Sequence, residues 1–197
     1  MNCSNICFRK KQSRTAFYQT VSGDEKAEFI NGEVICSSPA RDKHTVIVNN
    51  LSSIFIRFAR KNKAGVVRGE KWFVGLHGNE FEPDVWFFRK EIADTFNDDT
   101  MFYSVPDFAA EVLSDSTEKR DRGVKFVDYA LNGVKEYWLV NYKNQLIEQY
   151  FLEKEVFVLA EKVQHGTVRC LVLEGLEIPL KAIFNEEHNE LFLREMI

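Results

Sequence analysis

Cysteine is scarce and unpatterned. Cys3, Cys7, Cys36 and Cys170 are all that 197 residues contain, too few and too irregularly spaced for a paired zinc site or a disulfide scaffold. They are expected as reduced thiols, with Cys3 and Cys7 on a mobile tail. No apolar run approaches the roughly 18 to 20 residues of a membrane-spanning helix, and MNCSNICFRKKQSR holds no hydrophobic stretch that would act as a secretory signal. A soluble, cytoplasmic protein without a membrane partner is expected. Surplus positive charge is missing too: 26 Lys and Arg stand against 30 Asp and Glu, a net of -4. That excludes the strongly basic footprint of a constitutive nucleic-acid binder and requires any polyanion to be met by a local patch. There is no Gly-rich phosphate loop, HExxH or GxSxG, so no nucleotide or other organic cofactor is expected.

What is present is core material. The chain is 45% hydrophobic and 13% aromatic, enough to pack one domain and to exclude disorder. Residues 1–16, with Arg9, Lys10, Lys11 and Arg14, read as a basic, weakly ordered extension, and 17–197 as a single α/β domain. EFINGEVICSS places two short apolar runs around Asn31-Gly32, which predicts a β-hairpin. Ile47, Val48, Leu51, Ile54, Phe55 and Phe58 share one helical face, so Asp42 to about Lys61 is predicted as an amphipathic helix stopped by Gly65. VVRGEKWFVGL and EFEPDVWFFRK read as two strands joined at His77-Gly78-Asn79, with Pro83 marking an edge or a bulge.

DFAAEVLS has the nearly continuous apolar pattern of a central strand. SDSTEKRDRGVKFVDYALNG follows as one helix with Phe126, Val127, Ala130 and Leu131 on its buried face, Asp115 at its N-cap and Gly133 closing it. EYWLVN is the next buried strand. The resulting βαβ unit predicts DFAAEVLS and EYWLVN side by side and parallel. QLIEQYFL, EVFVLAEK and VRCLVL read as an antiparallel meander completing a mixed sheet.

Two acids break the apolar pattern. Glu111 stands among Ala109, Ala110, Val112 and Leu113, and Asp84 between Pro83 and VWFF. A buried carboxylate costs several kcal/mol unless it is compensated or neutralised. A hard divalent cation is one compensation, since Mg²⁺ takes one or two carboxylates plus waters and phosphate oxygens; a buried ion pair with Lys or Arg is the other. Lys125 is either an exposed i,i+4 partner of Asp121 or an ammonium aimed by the helix at the carboxylate site. Glu28 and Glu33 flank the hairpin and His44 opens the amphipathic helix; each is either a solvated side chain or a further site group. Arg57, Lys61 and Arg68, then Lys119, Arg120 and Arg122, form basic runs that are solvated faces unless they share a rim with the acids and track phosphates.

In the order AEFINGEV, PDVWFF and PDFAAEVLSDSTEKRDRGVKFVDYALNGVKEYWLVN, spread over residues 27 to 185, the chain resembles the Uma-type restriction endonuclease family of the PD-(D/E)xK nuclease superfamily. The resemblance implies a restriction endonuclease-like core, with a central mixed sheet flanked by helices, and Mg²⁺-dependent phosphodiester hydrolysis, Mn²⁺ substituting. It makes Asp84 the first metal-binding acid and Glu111 the second. Where most of the superfamily has Lys two residues after that acid, Leu113 stands here, and the amine is expected from Lys125 on the following helix. Glu28 and Glu33 match the family's early acids; Glu33 and His44 join the expected catalytic group.

The expected function is therefore a metal-dependent endodeoxyribonuclease acting on DNA, in which Lys125 positions or deprotonates the attacking water. Double-strand cutting would suit a two-fold homodimer. The competing expectation is a non-catalytic nucleic-acid-binding or scaffold protein in which Asp84, Glu111 and Lys125 form a structural ion-pair cluster.

Overall fold

The computed structural model describes residues 14–20, 26–37, 40–69, 73–76, 78–98, 100 and 102–196. Cys3, Cys7, Arg9, Lys10, Lys11 and His77 lie outside the described residues. Along the chain come helix α1 (Arg14–Thr20), the hairpin β1 (Ala27–Ile30) and β2 (Glu33–Cys36), and helix α2 (Asp42–Asn62). Strands β3 (Gly65–Gly69), β4 (Phe73–Leu76), β5 (Asn79–Phe81) and β6 (Val85–Arg89) follow, then α3 (Lys90–Ala93) and β7 (Phe102–Tyr103). Next are β8 (Phe108–Val112), α4 (Glu118–Asp121), α5 (Val124–Leu131), β9 (Glu136–Asn141), β10 (Leu146–Glu153) and β11 (Val156–Val163). The chain closes with β12 (Thr167–Arg169), β13 (Glu177–Pro179), α6 (Leu180–Phe184) and α7 (Glu186–Glu195).

Six strands form the central sheet in the order β11-β10-β9-β8-β6-β3. β8 and β9 are parallel and its other neighbouring strands antiparallel, so the sheet is mixed and the βαβ reading holds. Strand residues point alternately to opposite faces, and the core divides accordingly. Val85, Phe87, Phe108, Ala110, Val112, Trp138 and Val140 pack with Ile47, Leu51, Ile54 and Phe55 of α2 and with Leu180 and Ile183 of α6. Their neighbours Trp86, Phe88, Ala109, Leu113, Tyr137 and Leu139 pack with Tyr129 and Ala130 of α5 and with Val74, Leu76 and Phe81 of the smaller sheet. Helices therefore cover both faces, as the sequence implies.

The second sheet, β2-β1-β5-β4-β7, corrects the two-strand reading of 66–90. Each half of that stretch supplies two strands, β3 and β6 pairing in the central sheet and β4 and β5 in the small one. Pro83 lies at the bend between β5 and β6, and β6 itself is internal, flanked by β3 and β8. The Asn31-Gly32 turn is as expected, with φ of 53° and 83° at the two positions and Ile30 paired with Glu33.

Other expectations are corrected as well. Arg14, Thr15 and Ala16, assigned to the extension, already belong to α1, whose Phe17 is fully buried against Phe29 and Phe73. Helix α2 ends at Lys63, the residue in the left-handed region at φ 51°. Gly65 opens β3, and its absent side chain matters because a Cβ would lie 1.9 Å from the Phe88 carbonyl oxygen. VRCLVL leaves the meander: β12 pairs with β13 in a separate ribbon.

The helix predicted after β8 is broken into α4 and α5 at Gly123, where a Cβ would meet the Lys119 carbonyl oxygen at 2.7 Å. Val127 and Leu131 are exposed, and the buried side of α5 carries Lys125, Asp128, Tyr129 and Ala130. Asp115 does not cap it; it is exposed and pairs with Lys143, while the residue before α4 is Thr117. No helix among the described residues is long and apolar enough to cross a membrane.

Candidate active site

The β6–β8 register pairs Val85 with Ala110, so one step further along the same antiparallel register sets Asp84 opposite Glu111. Facing residues of an antiparallel pair project to the same side of the sheet. Here that is the α5 side, because Ala109 and Leu113, which alternate with Glu111 in phase, pack there. Both acids are buried, Asp84 to 3% and Glu111 to 2% exposure. The apolar strands on either side of them fix the register, which is how the sequence holds two carboxylates in the interior.

Helix α5 then brings an ammonium to them. Lys125 Nζ lies 2.9 Å from Glu111 Oε1, 2.8 Å from Glu28 Oε1 and 3.3 Å from Asp121 Oδ1. The Tyr129 hydroxyl, one turn on, also donates to Glu111 Oε1 at 2.9 Å. Asp84 is held separately: Lys26 Nζ donates to Oδ1 at 2.6 Å, the Val112 N–H donates to Oδ2 at 2.8 Å, and His44 Nε2 is 3.3 Å from Oδ2. Arg120 Nε approaches Glu28 Oε2 at 3.8 Å.

Three carboxylates around one ammonium set the electrostatics. Burial alone would lower the Lys125 amine, but Glu111, Glu28 and Asp121 raise it well above its ordinary range. Burial pushes the Glu111 carboxyl up to about 8 against the pull of Lys125, with Asp121 and Asp84 adding to the rise. Burial raises Asp121 in the same direction, and neither of its carboxylate oxygens accepts a hydrogen bond. Asp84 goes the other way. Burial disfavours its charge, yet Lys26 and His44 hold the carboxyl well below the usual carboxylate range.

Sequence reasoning therefore brings Asp84, Glu111, Lys125 and His44 to one place. Of the two early acids, Glu28 is the buried one; Glu33 is exposed at the start of β2 and takes no part in the cluster. Asp121 is the i,i+4 partner of Lys125, but the pair is buried, which corrects the expected exposed face, and the ammonium lies against Glu111 and Glu28. Asp121, Tyr129 and Lys26 were missed. The spacing 121, 125, 129 places the first two on the Lys125 face of the helix, a signal available in the sequence; for Lys26 there was none.

The basic runs divide. Arg57 and Lys61 are exposed on α2, about 20 to 25 Å along the helix from His44 at 1.5 Å per residue. Lys61 Nζ there donates to the Met196 carbonyl. Arg122 is committed to Glu148, at 2.5 and 3.1 Å, and to Glu118. Arg68 faces Trp86 across β3 and β6, Lys119 is exposed on α4, and Arg120 is beside Glu28; these three remain near the acids along the chain.

Among the described residues no group of three His, Cys, Asp or Glu side chains is placed to hold a metal ion. Mg²⁺ does not need three, because one or two carboxylates with water and phosphate oxygens complete its shell. Asp84 and Glu111 are two buried carboxylates of the site, each lying against an ammonium. Glu28, Asp84, Glu111 and Asp121 share the site with Lys26, His44, Arg120 and Lys125.

Comparison with known proteins bears on the fold and the family. Five solved chains match. One of them, a putative nuclease belonging to DUF820 from Anabaena variabilis, superposes with a TM-score of 0.74 over 85% of this chain and 94% of that one, at 15% identity; it shares the fold. No curated protein matches the sequence. The family model described as "Uma2: Putative restriction endonuclease" matches residues 15–181, a span that holds every acid of the cluster together with Lys26, His44, Arg120, Lys125 and Tyr129, and the chain belongs to that family.

Proposed function

We propose that the protein is a metal-dependent endodeoxyribonuclease in which Asp84 and Glu111 hold Mg²⁺, with Mn²⁺ able to substitute. The observation that carries this is the burial of two acids at adjoining positions of the sheet, Asp84 accepting from the Val112 N–H beside Glu111 at 2.8 Å, with Lys125 Nζ 2.9 Å from Glu111. Both hydrogen bonds to Glu111 fall on Oε1, so Oε2 is the oxygen those bonds leave over. Asp84 and Glu111 would hold the divalent cation, which would supply a water of lowered pKa and neutralise charge on the phosphate oxygens.

The remaining work falls to the chain. Lys125, held protonated by three carboxylates, cannot serve as a base; it orients the attacking water and shares the charge that develops on the phosphate in the in-line displacement. Tyr129 and Glu28 fix the geometry of this pair, Tyr129 from the acid's side and Glu28 from the amine's. Arg120, Lys119 and Arg68 supply phosphate contacts on an otherwise acidic protein. Because Glu111 carries a proton up to about pH 8, it must release that proton to take a cation, and metal affinity rises with pH.

A self-contained ion-pair cluster is the alternative, favoured by Lys26 Nζ lying 2.6 Å from Asp84 and Lys125 Nζ 2.9 Å from Glu111. Thermal melting separates the two. A cation that binds only the folded state stabilises it by RT ln(1 + L/Kd), where L is the free cation concentration. Millimolar Mn²⁺ should raise the melting temperature by several degrees at pH 8, less at pH 6, and not in Asp84→Asn. An unshifted transition at both pH values would favour the scaffold reading.

A further inference from the structure

The two oxygens of Asp84 are held by unlike partners. Oδ2 receives the Val112 N–H of a central strand and faces His44 in the first turn of α2, so both of its partners belong to fixed elements. Oδ1 is held by Lys26 Nζ at 2.6 Å. The Lys26 side chain keeps 21% of its surface exposed, against 3% for Lys125. It is a strongly hydrated ammonium on a flexible four-carbon stem, placed immediately before β1, and its side chain is more exposed than that of His44, at 11%.

A divalent cation on Oδ1 and an ammonium on the same oxygen would sit within a few ångströms of each other, where like charges repel strongly in a partly dehydrated site. They exclude one another. Resting on the metal-assisted reading above, we propose that Lys26 is the resident counter-ion of Asp84, displaced when the divalent cation binds, and that the released ammonium then contacts the substrate phosphodiester. Metal binding would thereby place a positive charge on the substrate side of the site. Lys125, enclosed by Glu28, Glu111 and Asp121, has no such freedom, so the two lysines do different jobs.

The test titrates Mn²⁺ into the full chain by calorimetry for the wild type, Lys26→Gln and Lys26→Arg, and measures binding of a labelled DNA duplex in Ca²⁺ over a range of salt. Lys26→Gln should bind Mn²⁺ about tenfold more tightly, since its competitor is gone. Lys26→Arg, whose planar fork grips a carboxylate more firmly, should bind it more weakly, and these opposite directions separate competition from damage to the fold. In Ca²⁺, the dependence of log K on log salt should be shallower by about one contact for Lys26→Gln. Equal or weaker Mn²⁺ binding by Lys26→Gln overturns the displacement, and an unchanged salt slope overturns the phosphate role. Absence of Mn²⁺ binding in all three proteins overturns the metal reading and this proposal together.

Discussion

If the protein is the proposed metal-dependent nuclease, replacing Glu111 with Gln should remove DNA cleavage, by about 10³-fold or more, and should leave a protein that melts higher than the wild type at pH 8. The first effect is the loss of a cation ligand, because the cation contributes several kcal/mol to transition-state charge and each 1.4 kcal/mol is tenfold in rate. The second follows from proton linkage. The Glu111 carboxyl titrates at about 8 in the folded chain and near its ordinary 4.5 in the unfolded one. Below pH 4.5 both states carry the proton and the residue adds nothing to the pH dependence. Between 4.5 and 8 the unfolded state loses it first, so stability falls as pH rises, at most by about 1.4 kcal/mol per unit. Glutamine resembles the protonated acid and cannot ionise, so the variant escapes this decline. Melting at pH 5 and pH 8 checks it: a gain confined to the higher pH is expected. Equal losses at both, or retained cleavage, would count against the account.

Removing the ammonium has the opposite sign. Lys125→Met strips Glu28, Glu111 and Asp121 of the cation that lies within 3.3 Å of each. Leaving buried charge uncompensated costs about 3 to 5 kcal/mol. The penalty grows with pH, because the acids can stay neutral in the fold only by keeping protons that the unfolded chain sheds. Denaturant unfolding at pH 6 and pH 8 should show the larger loss at pH 8, and Glu111→Gln in the same chain should return part of it, since contacting residues are not additive. Cleavage by Lys125→Met should fall about 10² to 10³-fold, the usual cost of one preorganised donor to a developing oxyanion. A variant as stable as the wild type at pH 8 would mean that the three acids do not depend on this amine.

Much of the central sheet could be read directly, and the reason is visible in its strands. Phe108, Ala110 and Val112 meet one helical layer and Ala109 and Leu113 the other, so both faces are apolar and a lone Glu at position 111 stands out. The smaller sheet was hidden because nothing in VVRGEKWFVGL marks the place where a strand leaves one sheet and joins another; that depends on which neighbours it meets. α5 was misjudged for a related reason. Its core side carries Lys125 and Asp128, so the hydrophobic stripe points at Val127 and Leu131, which are exposed. A charged functional face inverts the usual pattern of an amphipathic helix. Asp121 and Tyr129 lie one turn to either side of Lys125 and could have been found from that spacing. Lys26 could not, since its meeting with Asp84 spans 58 positions and depends on where the hairpin lands.

The account rests on Asp84 and Glu111 sharing one divalent cation. A crystal grown or soaked in Mn²⁺ and measured at the manganese edge tests this directly. An anomalous peak in contact with an oxygen of each acid, with Lys125 still beside Glu111, is the expected result. Full Mn²⁺ in the medium with no peak between them, or a peak touching neither acid, would contradict it.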